Sequence, residues 1–73
     1  MALRPSIDPD DVLSYSQLQY KIWVVRIVEE GINLTDWEDT FIMEIESMLR
    51  AGGKITSRRH GAIIERIYTD RVP

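Results

Sequence analysis

The run Thr35-Asp36-Trp37-Glu38 constrains the fold more than any other stretch, because it fixes the residue at which a helix can start. The Thr35 hydroxyl can accept from the Glu38 amide while the Glu38 carboxylate reaches back to the Thr35 amide, which is the reciprocal pairing of a capping box. Asp36, Glu38 and Asp39 put negative charge on the first turn, where the helix dipole favours it. Apolar residues then fall at Trp37, Phe41, Ile45 and Met48, with Ile42 and Leu49 beside them, the spacing of one buried stripe. Arg50 suits the negative pole, and Gly52 can take the left-handed conformation that closes a helix. These signals predict a helix over about 35–51.

A second helix follows the Gly52-Gly53 turn. Thr56 is its expected N-cap, Ile55 a staple residue just before it, and His60, Ile63, Ile64, Ile67 and Tyr68 repeat the helical period. The pair forms a helical hairpin from Leu34 to Tyr68. Arg58 and Arg59 go against local preference, since cations in a first turn oppose the dipole by roughly 0.3 to 1 kcal/mol each. Such a conflict points either to side chains that simply reach into water or to a second task.

Upstream, Met1 to Asp11 holds Pro5, Pro9 and three acids with little apolar content, which predicts an extended N-terminal arm. Asp8, Asp10 and Asp11 alternate loosely like calcium ligands, but the glycine and distal glutamate of a calcium loop are missing, so no metal is expected. Asp10 or Asp11 could cap a short turn, and Ser14 or Ser16 the helix that follows. In that helix Leu18, Ile22, Val25 and Glu29 mark one face, while Tyr20, Trp23, Val24, Ile27 and Val28 crowd the others. The β-branched content of 21–28 also suits a strand, but the spacing from Leu18 to Val25 favours helix. A segment apolar on most sides needs covering, and a short chain has few elements with which to do it. Its surplus is therefore buried core, a docking surface or a face for self-association. Gly31 ends it, and Arg71 to Pro73 are expected to fray. The expected fold is all-α: a small three-helix domain over 12–73, with a C-terminal helical hairpin and an arm over 1–11.

A chain of 73 residues is one domain of marginal stability, and it has no cysteine for disulfides or thiolate metal sites. Its apolar runs, such as Ile22 to Val25, are far too short to span a membrane, and Met1 to Ser6 lacks the core of a signal peptide. One histidine leaves little material for catalysis, Glu44 and Glu46 do not face each other on a helix, and Gly52-Gly53 lacks the surroundings of a phosphate loop. The expectation is a non-enzymatic protein with no cofactor.

Net charge is −3, yet its distribution says more about partners. From Ser6 to Glu46 ten acids (Asp8, Asp10, Asp11, Glu29, Glu30, Asp36, Glu38, Asp39, Glu44, Glu46) oppose Lys21 and Arg26. From Ser47 onward six bases (Arg50, Lys54, Arg58, Arg59, Arg66, Arg71) oppose Glu65 and Asp70. Trp23, Ile27, Glu29 and Glu30 are the candidate protein-binding residues, suited to a basic, apolar peptide. Arg50, Lys54, Arg58 and Arg59 form a candidate basic patch facing nucleic acid or an acidic protein surface. Its setting, across a turn and onto the next helix's first residues, has the outline of a helix-turn-helix, so a small DNA-binding repressor is the alternative. An acidic mimic of DNA is disfavoured by the bases.

Over its whole length, from MALRPSIDPDD through YKIWVVRIVEEGINLTDWEDTF to RRHGAIIERIY, the chain resembles the small RNA polymerase-binding transcription regulators of lytic bacteriophages. The resemblance implies a protein bound to host RNA polymerase in the cytoplasm of the infected bacterium; a monomer away from membranes is expected. It implies a block to promoter initiation and passage of elongating polymerase through terminators. Its basic end would then touch polymerase, nascent RNA or DNA.

Overall fold

The structure, a computed structural model, describes residues 13–73, so the expected arm over 1–11 and any turn capped by Asp10 or Asp11 lie outside it. Three helices make up the described chain: α1 (Gln17–Glu30), α2 (Asp36–Arg50) and α3 (Arg58–Arg71). The domain is all-α among the described residues.

Each helix begins on a hydroxyl cap. Ser16 Oγ accepts from the Gln19 amide at 3.1 Å. Thr35 Oγ1 accepts from the Glu38 amide at 3.1 Å while the Thr35 amide donates to Glu38 Oε1 at 2.9 Å, completing the capping box. The third cap is Ser57, accepting from the His60 amide at 3.3 Å, one residue later than the expected Thr56. The delay has a cause in the connection. Ile55 is buried, and the Gln17 side-chain amide grips its backbone on both sides: Nε2 donates to Ile55 O at 2.6 Å and Ile55 N donates to Oε1 at 2.9 Å. The chain thus stays extended past Ile55 before it can coil. Gly52 closes α2 with φ of 94°, a left-handed value that a side chain would strain.

The core joins Tyr20, Val24 and Ile27 of α1 to Ile42 and Ile45 of α2, Ile55 of the connection, and Ile64 and Ile67 of α3. Residues 20, 24 and 27 share one helical face, which is why 21–28 coils despite its β-branched content. α1 makes the close approaches to both other helices. Side-chain links between α2 and α3 run from the first turns of α2 to both ends of α3, from Phe41 to His60 and from Glu38 to Arg66 and Arg71. The two helices therefore cross.

Two expectations about faces and one about the C-terminus are corrected. The buried row of α2 is Glu38, Ile42 and Ile45, and Trp37 is 57% exposed, because α2 is rotated to carry Glu38 inward to two arginines. The buried row of α3 is Gly61, Ile64 and Ile67, with His60 exposed and edge-on to Phe41. Gly61 sits there because a Cβ would stand 2.6 Å from the Tyr20 hydroxyl and 2.8 Å from Tyr20 Cζ, inside contact distance of a buried ring. The C-terminus is tied down: the Ile32 amide donates to Arg71 O at 2.9 Å, the Val72 amide to Tyr68 O at 3.1 Å, and Val72 packs against the core.

Candidate functional site

The fold sorts the charges into two ends. At one end lie the C-terminus of α1, the start of α2 and the last turn of α3, joined by the Ile32–Arg71 backbone bond and by Glu38. At the other lie the start of α1, the 51–57 connection and the start of α3, joined by Gln17 and Ile55. Glu29, Glu30, Asp36, Glu38, Asp39 and Asp70 occupy the first against Arg26, Arg66 and Arg71. Lys21, Arg50, Lys54, Arg58 and Arg59 occupy the second against Glu46 and Glu65.

Every base at the acidic end is committed to a carboxylate. Arg26 pairs with Glu30 at 3.0 Å, and Arg66 reaches both Glu38 at 3.2 Å and Asp70 at 3.4 Å. Arg71 Nε donates to Glu38 Oε1 at 3.0 Å. Glu38 is buried, and its carboxyl is held down to a pKa of about 2, first by the Thr35 amide and then by Arg71 and Arg66, against the opposing effect of desolvation. Arg66 and Arg71 thus belong in space to the acidic end, although in sequence they sit in the basic half.

The basic end is arranged differently. Arg50 pairs with Glu46 one turn back, whereas Lys21, Lys54 and Arg59 are exposed and make no ion pair among the described residues. The expected basic patch opens on two depressions that share no residue. Arg58 and Arg59 line one of about 520 Å³ with Ser14, Ser57 and Glu65, between α1 and α3. Lys54 lines another of about 320 Å³ with Leu18, Lys21 and Leu49, between α1 and α2. Arg50 adjoins this second one, in a hollow of about 310 Å³ that again includes Lys21 and Leu49. Lys21, missed from the sequence, joins the patch because the connection folds back along α1.

The four candidate protein-binding residues do not share a surface. Ile27 is 2% exposed and faces the core, so it is unavailable to a partner. Trp23 is half-buried in a ring cluster, edge-on to Tyr15 at 4.8 Å and tilted against Tyr68 at 5.6 Å. Glu30 is engaged by Arg26, which also donates to the Tyr68 hydroxyl at 3.3 Å and lowers the Glu30 pKa through its hydrogen bond. Glu29 is exposed and, among the described residues, makes no ion pair. Its row is Leu18, Ile22 and Val25, and these three are 66, 44 and 44% exposed. Set opposite Tyr20, Val24 and Ile27, this row leaves α1 apolar on the side that faces water.

No family model matches the chain, and no curated protein or solved structure matches it. The arrangement must therefore be judged by its own chemistry. Among the described residues no three His, Asp or Glu side chains gather as metal ligands, and no helix is long and apolar enough to cross a membrane. What the surface offers is an exposed apolar row, an exposed Trp37 stacked on Phe41 at 5.3 Å, and cations gathered at one end. These are the materials of protein recognition, with aromatic and aliphatic anchors beside charges that orient a partner.

Proposed function

We propose that the protein is a non-catalytic regulator that binds host bacterial RNA polymerase, inhibits transcription initiation and promotes antitermination, acting in the cytoplasm of a phage-infected cell. The observation that supports a binding role most directly is the uncovered apolar row of α1 on a scaffold with electrically opposite ends. The resemblance to phage polymerase-binding regulators supplies the partner. In this reading the apolar row seats on polymerase, and Arg50, Lys54, Arg58 and Arg59 meet an acidic polymerase surface or the emerging RNA. No bond is made or broken. The protein works by occupying a site on the larger machine.

The test uses purified bacterial RNA polymerase. Retention of the chain on the enzyme, loss of promoter-dependent transcripts and readthrough of an intrinsic terminator are the expected results. Arg58→Glu with Arg59→Glu should weaken binding and readthrough together. No retention on polymerase, with tight and salt-sensitive shift of duplex DNA by the protein alone, would overturn the proposal in favour of a DNA-binding repressor.

A further inference from the structure

The uncovered row of α1 does not stand alone. Beside it the last two turns of α2 run close to α1, and the Lys54 depression and the Arg50 hollow between these helices meet at Lys21 and Leu49 to form one groove. Its floor is apolar, from Leu18, Val25 and Leu49, and its rim is cationic, from Lys21, Arg50 and Lys54. Arg50 is already matched by Glu46, while Lys21 and Lys54 have no carboxylate among the described residues. Leu18, Ile22, Val25 and Glu29 follow the spacing i, i+4, i+7, i+11, which is the seam that a helix presents to a second helix laid along it.

We infer that this groove is a docking site for an amphipathic helix that carries carboxylates beside its apolar row, at the end lying over Lys21 and Lys54. The apolar residues of such a helix would cover Leu18, Ile22 and Val25 and fill the hollow over Leu49, in the manner of helix-in-groove recognition. Its carboxylates would meet the two cations, and at the far end Glu29 would repel an acid and so fix which way the helix lies. A second copy of this chain fits less well, because its own outward row offers the single carboxylate Glu29 against two cations. The inference concerns the chemistry of the occupant and does not rest on the polymerase reading.

Two synthetic helical peptides test it, each with leucines at alternating three- and four-residue spacing. One carries glutamates beside the leucines in its N-terminal half and the other carries lysines at the same places. Binding to the full chain is followed by amide chemical shifts and by titration calorimetry. The glutamate peptide should shift Leu18, Lys21, Ile22, Val25 and Leu49, with affinity about tenfold or more above its lysine twin at low salt. Lys21→Glu with Lys54→Glu, both at exposed positions, should reverse that order while leaving the far-ultraviolet circular dichroism unchanged. Equal binding of the two peptides, no binding of either at about 1 mM, or shifts centred on Trp37 and Phe41 would overturn the inference. So would concentration-dependent sedimentation of the protein alone that is abolished by Val25→Glu, since the occupant would then be a second copy. None of these results depends on whether polymerase is retained.

Discussion

The acidic and basic ends of this domain are built from the same kinds of side chain, used in opposite ways. At the acidic end three arginines are drawn onto carboxylates, and one of these carboxylates, Glu38, is buried and accepts from the Thr35 amide, Arg66 and Arg71 together. Charge there holds the start of α2 to the end of α3. At the basic end the fold is held by shape and by a neutral hydrogen-bonded clasp, Tyr20 seated on Gly61 and Gln17 paired with Ile55, while Lys21, Lys54 and Arg59 face water. The same residue type is structural where it meets a buried acid and available where it does not.

The sharpest way to break this comparison is at Glu38. Glu38→Ala removes the capping-box partner and leaves Arg71 facing a vacated buried site, so urea denaturation should show a loss of about 2 to 4 kcal/mol. Glu29→Ala, exposed at the same end, should cost under about 0.5 kcal/mol. Acid titration gives a related signature. Because the folded pKa of Glu38 is lowered from 4.5 to about 2, its contribution is present above the unfolded pKa and is lost as pH falls through 4.5 toward 2. Glu38→Gln should flatten the stability profile in that window and leave the slope above pH 6 unchanged.

Gly61→Ala sharpens the other side of the comparison. Its new methyl would press on the ring of Tyr20, which is buried, so a loss of about 1 to 3 kcal/mol is expected, insensitive to salt. Charge removal at the basic end should have the smallest effect on stability. Lys54→Gln with Arg59→Gln should move the unfolding free energy by no more than about 0.5 kcal/mol, because neither side chain is paired among the described residues. A larger loss would mean that these cations hold the fold after all.

Much of the fold was legible in local signals. The Thr35–Glu38 capping box and the Gly52 closure read directly from residues a few positions apart, while the start of α1 lies open between Ser14 and Ser16 and the cap of α3 falls one residue past the expected Thr56. What escaped reading was tertiary. The spacing that groups Trp37 with Phe41 and Ile45 reads it as buried, whereas Arg66 and Arg71, twenty-eight and thirty-three residues beyond Glu38, make burial of that carboxylate affordable in free energy and so set the rotation that leaves Trp37 in water. Gly61 gave a usable signal, since a glycine inside a helical period often marks a close approach. Lys21 gave none, because its place beside Lys54 depends on how the connection folds back over α1. The candidate surface fared similarly: the row Leu18, Ile22, Val25 and Glu29 was visible as one face, but which face of an almost wholly apolar helix met water could not be told before its partners were in place.

The central claim is that one end of the domain uses its charges to hold the fold and the other presents them to a partner. The most direct test takes Lys54→Glu with Arg59→Glu and measures, on one preparation, the thermal midpoint and the affinity for purified bacterial RNA polymerase. The account predicts an unchanged midpoint with affinity reduced about tenfold or more. A lowered midpoint, or affinity equal to that of the parent chain, would contradict it.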